Sequence, residues 1–288
     1  VVAERLPSLP SAGIVGTRQF CHACARLAGG WTASCRKRRK HWWQLSLRPS
    51  LQGARTGLLQ AGDVVFELAL DLTNSRLQVE VAGGASYEGA LTDNSPEQLA
   101  AEVSEFLIAQ GVPADYRPVY PAEGHDSLNI GHGHAYAAEV AADFATVWRF
   151  IASAMDEFRA DIPEETSPIM LWPGHFDLAM MWLPGEKIPG QDPTDEEYSD
   201  KQMNFGFSFG DEGIPEPYFY VTAYPKPEAF AQLKLPSGAQ WHGQGFSGAV
   251  LSYSELLGRA DPRGDLLELW NFLIDSGRQR MLTTGQGD

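Results

Sequence analysis

Apolar and polar positions alternate most regularly between residues 63 and 82. Phe66, Leu68, Leu70 and Leu72 are separated by Glu67, Ala69 and Asp71; beyond Thr73-Asn74-Ser75, Leu77, Val79 and Val81 are separated by Gln78 and Glu80. A period of two places the sets on opposite sides of a strand, so this stretch predicts a β-hairpin with one buried and one wet face, as in an antiparallel sheet. Trp42 to Leu47 reads as a strand before it. At 96–110 the period lengthens to that of a helix, with Leu99, Val103, Phe106 and Leu107 in one stripe. Ser95 is a fitting N-cap, Pro96 suits the first turn, Gln98 completes a capping box, and Gly111 with Pro113 stops the helix.

A Pro- and Gly-rich stretch, 112–135, reads as a loop. A second helix is predicted over 138–160, with Val140, Phe144, Val147, Ile151, Met155 and Phe158 on one face. Strands return at 167–173, 176–183, 203–209, 217–224 and 246–251, with Pro184–Asp200 between two of them as a lid or rim. Asp261-Pro262 opens a last helix that turns Leu266, Leu269, Trp270 and Leu273 inward and ends at Gly277; the polar tail 283–288 reads as frayed. The pattern as a whole is α+β, mainly antiparallel sheet with three long helices.

Composition narrows the function classes. The 288 residues are 43% hydrophobic with a formal charge of −15, an ordinary globular balance that disfavours nucleic acid or anionic lipid as a partner of the whole protein. No window is apolar enough to span a membrane and no compact signal core opens the chain, so the expected location is cytoplasmic, with a processed or fragmentary start at Val1. The charge is uneven: residues 1–60 hold ten Lys/Arg against Glu4 alone, for +9, and the remainder carries −24. The basic part includes the run Arg36-Lys37-Arg38-Arg39-Lys40 and all three cysteines, Cys21, Cys24 and Cys35. With His41, those cysteines form a possible four-ligand zinc set beside a phosphate-binding run, yet there is no second Cys pair at finger spacing, and no metal ligand is assigned.

Chemistry is sought first among the histidines. His132-x-His134-x4-Glu139 copies a cupin-type ligand set, but helical periodicity follows it where that site needs strands. His175 and Asp177 are the catalytic candidates: on a strand from 176 they share a face, where a carboxylate orients an imidazole as general base or joins it on a metal. The alternative is a structural Asp-His hydrogen bond. In 218–224 the even positions Tyr218, Tyr220, Thr222 and Tyr224 share a face, either a pocket wall that stacks on a ring or a sheet face packed under a helix. His41, Trp42, Tyr198, Tyr220 and Tyr224 are the ligand-binding candidates. Nucleotide-binding glycine loops, the serine-hydrolase elbow and the zinc-protease motif are absent from the sequence.

The strings His41-Trp42-Trp43, Ser167-Pro168 through Trp172, His175-Phe176-Asp177-Leu178-Ala179, Glu197-Tyr198-Ser199, Phe205-Gly206-Phe207, Pro217-Tyr218-Phe219-Tyr220 and Ala223-Tyr224-Pro225 resemble an uncharacterised bacterial domain-of-unknown-function family, number 5996. The resemblance spans 41–280 and implies one cytoplasmic family domain over 41–282, with no activity, catalytic residue or cofactor to carry over. Residues 18–60 depart from it. Their cysteines, basic run and loss of periodicity suggest a shifted reading frame there, with 1–40 an atypical basic segment, disordered or out of frame. The expected function is binding, with turnover open, of a small polar or ring-containing molecule in a cleft lined by aromatics, His and Asp; the alternative is a non-catalytic protein-interaction module.

Overall fold

The computed structural model describes residues 6–9, 13–117, 136–195, 197–227 and 229–282. In chain order these form α1 (Ile14–Cys35), a 3-10 turn (Lys40–Leu45), β1 (Arg48–Ser50), β2 (Gly53–Arg55), β3 (Leu59–Ala61), β4 (Val64–Asp71), β5 (Arg76–Val81), β6 (Ser86–Ala90), α2 (Pro96–Ala109) and α3 (Ala138–Ala160). Then come β7 (Glu165–Thr166), β8 (Met170–Trp172), β9 (Asp177–Leu183), β10 (Gln202–Ser208), β11 (Tyr218–Tyr224), β12 (Gln240–His242), β13 (Gly248–Ser252), α4 (Tyr253–Leu257) and α5 (Pro262–Met281). The fold is α+β, and it divides into two compact units: residues up to Phe150 with Met170–Phe176, and Ile151–Ile169 with Asp177 onward. No helix among the described residues is long and apolar enough to cross a membrane.

The first unit is built on an antiparallel sheet of order β1-β2-β4-β5-β6, with β3 paired to β4. The β4–β5 register sets Leu68 opposite Val79 and Leu70 opposite Leu77, so the predicted apolar set lies on one face. Asp71 closes the hairpin by accepting from the Asn74 amide at 2.9 Å. The buried helix α1 packs on this sheet, with Trp31 edge-on to Phe66 at 5.6 Å. Phe20, Cys21, Ala23, Cys24, Leu27, Ala28 and Trp31 are all buried along it. This helix occupies a stretch without apparent periodicity, because its apolar residues are mostly small and spread around its circumference. The capping box of α2 is present, Gln98 N lying 3.2 Å from Ser95 Oγ and Ser95 N 2.7 Å from Gln98 Oε1. Leu47 and Leu171 exchange backbone hydrogen bonds of 2.9 Å, which bring β8 into this unit.

The second unit carries an antiparallel sheet of order β12-β13-β11-β10-β9-β7. Leu178, Met180 and Trp182 of β9, Met203, Phe205 and Phe207 of β10, and Phe219 and Val221 of β11 alternate onto one buried face. The last turns of α3 and the apolar stripe of α5 cover that face: Phe158 lies 5.0 Å from Phe205 and 5.4 Å from Trp270. Gly277 lies inside α5, where a Cβ would come within 2.3 Å of Met203 Sδ. It serves close packing, and the helix runs on to Met281 instead of ending there.

Other elements also differ from the sequence pattern. Trp42 to Leu47 is a 3-10 turn in its first part, with His41 and Trp42 at φ 49° and 60°, in place of a strand. Of the stretch 167–173 only Met170–Trp172 is strand, as β8; Ser167 follows β7, and its hydroxyl accepts from the Met181 amide at 2.9 Å. β9 starts at Asp177, one residue after Phe176 in a left-handed turn conformation. His125, His132 and His134, most of the loop 112–135 and the tail 283–288 lie outside the described residues.

Replacing Phe158 by Ala removes a ring buried between β10 and α5 and is expected to cost about 3–5 kcal/mol. Urea unfolding followed by tryptophan fluorescence checks this through a lower midpoint at an unchanged slope.

Candidate functional site

Strand alternation sets the remaining side chains of β9, β10 and β11 on the opposite face of the second sheet. The paired register sets Asp177 beside Ser208 and Ser208 beside Tyr218; it also sets Ala179 beside Gly206 and Gly206 beside Tyr220. Directly paired residues of an antiparallel sheet share a face. Asp177, Ser208, Gly206, Tyr218 and Tyr220 therefore lie together, with Asn204, Thr222 and Tyr224 further along the same face.

Gly206 is the residue that lets this face close. A Cβ there would lie 2.2 Å from Tyr220 Cζ and 2.4 Å from its hydroxyl. The Tyr220 ring thus lies across β10 where a side chain is missing, and its hydroxyl donates to the buried Asp177 carboxylate on β9. A second tyrosine–carboxylate pair stands beside it, Tyr218 donating to Asp211 at 2.5 Å. Phe246 stacks on Tyr218 and meets Tyr220 edge-on, both at 6.3 Å, and His242 packs on Phe246 at 4.7 Å. Burial and the adjacent carboxylates push both phenols above their ordinary pKa, so each remains a proton donor. Tyr198 meets Tyr224 edge-on at 5.5 Å and is 48% exposed. Each phenol gives its one proton to a carboxylate, so the arrangement offers fixed acceptors and aromatic edges, a set suited to a polar ring.

In the first unit His175 is exposed in the turn that precedes β9. A different histidine supports that turn. His22 of α1 lies with Nε2 2.8 Å from the Pro173 carbonyl and 3.1 Å from that of Gly174, and its ring stacks on Phe176 at 5.5 Å. Carbonyls only accept, so Nε2 carries the ring proton. Burial, reinforced by Arg26, lowers the His22 pKa to about 4. His41 is buried, its ring 6.2 Å from that of Trp43, and Trp42 is half-buried beneath the Arg38 guanidinium at 4.3 Å.

Of the sequence candidates, Asp177, Tyr198, Tyr220 and Tyr224 belong to the second unit and His41, Trp42 and His175 to the first. Hydrogen bonding joins Asp177 to Tyr220, and ring contact joins Tyr198 to Tyr224. Gly206, Asp211, His242 and Phe246 were not singled out as site residues; only the glycine between Phe205 and Phe207 breaks a pattern visible in the sequence. Cys21 and Cys24 are free thiols buried in α1, and burial raises their pKa. Among the described residues no group of three or more His, Cys, Asp or Glu is placed to hold a metal ion.

A family model described as a family of unknown function (DUF5996) matches residues 6–277, a span that takes in α1 and the basic run. No curated protein and no solved structure matches the chain.

Gly206→Ala is expected to drive Tyr220 off Asp177 and to destabilise by about 1–3 kcal/mol, as overpacking does. Adding Tyr220→Ala removes the clash, so in a double-mutant cycle the pair is expected to cost less than the sum of the singles. At His22 the folded pKa lies below the unfolded value near 6.5, so its contribution is complete above about pH 6.5 and is lost as pH falls toward 4. His22→Gln keeps a donor and cannot take up that proton. Its unfolding free energy is expected to fall less than the wild type's between pH 7 and 4.5, by on the order of 2 kcal/mol, in urea titrations at each pH.

Proposed function

We propose, from the premise that the chain belongs to the family of unknown function DUF5996, that the second unit binds a small polar, ring-containing molecule on its tyrosine face. The observation that carries this reading is the crossing of Tyr220 over Gly206 to the Asp177 carboxylate. A glycine in a strand interior and a buried carboxylate both weaken a sheet, and an apolar pair would fill the same space with less desolvation. Their combination makes sense where an oriented carboxylate is wanted. Asp177 is then the polar anchor, Tyr220 the donor that orients it, and Tyr198 with Tyr224 the edges against which the ring lies.

The test is a saturation-transfer NMR screen of the full chain against monosaccharides, cyclic polyols and nucleosides. At least one class is expected to bind, with affinity reduced about tenfold by Asp177→Asn and by Tyr224→Ala, the size of one lost polar or ring contact. Asn keeps the shape of Asp and its acceptor toward Tyr220, so folding is preserved. Binding that ignores both substitutions, or a panel in which nothing binds, overturns the reading.

A further inference from the structure

The run Arg36-Lys37-Arg38-Arg39-Lys40 follows directly on α1. Cations after a helix C-terminus offset the partial negative charge there, and that would account for one or two of them. Arg36 is used in this way and further: it donates to the Thr56 carbonyl and leans toward those of Gln44 and Ser46 at 3.5 Å. Arg38, Arg48 and Arg117 are exposed and have no carboxylate partner among the described residues, in a chain with fifteen more acidic than basic side chains.

Arg36, Arg38 and Arg117 open onto one pocket. It has a volume of about 390 Å³ and is lined by Ser34, Arg36, Arg38, Trp42, Gln44 and Arg117 among others, with no carboxylate in its wall among the described residues. That volume falls in the range of small organic ligands. Trp42 reaches the wall from a backbone with φ 60°, directly after His41 with φ 49°. Two successive non-glycine residues in the left-handed region cost on the order of 1–2 kcal/mol each, a strain that tends to collect at functional sites. Gln44 fixes the turn from inside, its side-chain carbonyl accepting from the Arg39 amide at 2.8 Å. Arg39 and Arg48 add to the effect of burial in lowering the pKa of Arg36, so these cations stand close enough to repel one another.

We propose that this pocket of the first unit binds a phosphate monoester carried on a planar ring. Guanidinium forks match the oxygens of a phosphate dianion, and Arg38 and Arg117 supply them from the rim while Arg36 supplies positive charge from the base. The Trp42 indole, already polarised by Arg38, gives the ring a stacking wall. The site lies in the other unit from the tyrosine face and does not depend on that reading.

Isothermal titration calorimetry on the full chain, at low salt without phosphate buffer, tests it. Phenyl phosphate and adenosine 5′-monophosphate serve as ring-bearing phosphomonoesters, inorganic phosphate as the bare anion and adenosine as the bare ring. At least one phosphomonoester is expected to bind about tenfold or more tighter than phosphate or adenosine. Arg38→Gln and Arg117→Gln, both exposed, are each expected to weaken it about tenfold with the thermal midpoint unchanged. Trp42→Leu is expected to weaken the phosphomonoester and leave phosphate as it was. No binding of either phosphomonoester at millimolar concentration overturns the proposal, as does affinity that survives Arg38→Gln/Arg117→Gln. Phosphate binding as tightly as both phosphomonoesters overturns the ring-bearing class.

Discussion

The period of two along β9, β10 and β11 is the constraint on which the second unit depends. Each strand must give every other side chain to the face under α5 and the end of α3, and it does so with Met180, Trp182, Phe205, Phe207 and Phe219. The intervening positions then share the opposite face whatever their chemistry. Because the register pairs Gly206 with Tyr220 on one side and Ala179 on the other, the bulk on that face belongs to β11 and the space to β10 and β9. Tyr220 fills the space, and Asp177 receives its hydroxyl. The apolar core fixes the register, and the register fixes the distance between phenol and carboxylate.

Electrostatics plays the corresponding part in the first unit. The chain is strongly acidic, yet the residues after α1 gather cations around Trp42. Backbone carbonyls hold Arg36, and the indole holds Arg38, so among the described residues these charges are positioned by neutral partners and not by carboxylates. A carboxylate partner would have stabilised the fold more cheaply and cancelled the field. Cations kept in place in this way are the basis of the phosphomonoester proposal.

Much of the fold was legible because its signals are local. The hairpin at 63–82, the capping box at Ser95 and the stripes of α3 and α5 are written in neighbouring residues, and they emerged with small shifts of boundary. Helix α1 escaped notice since Ala, Gly and Cys give little contrast between faces, although almost its whole length is buried. The site was legible in part. Tyr218, Tyr220 and Tyr224 share a face by alternation alone, but which carboxylate Tyr220 would meet depends on the pairing of three strands. Alternation from 176 sets His175 and Asp177 on one face; the left-handed Phe176 puts the strand's start one residue later and leaves His175 in an exposed turn. The nearness of Arg117 to Trp42 joins distant parts of the chain and had no local sign.

The places where sequence and local preference disagree are the same places that gather unusual chemistry. Gly206 interrupts a run of aromatic strand residues, Asp177 takes a carboxylate into a buried strand, and His41 and Trp42 adopt a backbone that favours glycine. Each runs against the local preference of its strand or turn. A sequence selected only to fold would place Ala or Val at 206, an apolar residue at 177 and glycine at 41 or 42. The departures are also ordered in relation to one another. Gly206 is useful only because Tyr220 crosses it, and that crossing is useful only because Asp177 lies at its far end. In the first unit the left-handed turn brings Trp42 under Arg38, where the indole and the uncompensated arginines form one wall. Such mutual dependence among locally unfavourable choices is the common ground of the two binding proposals.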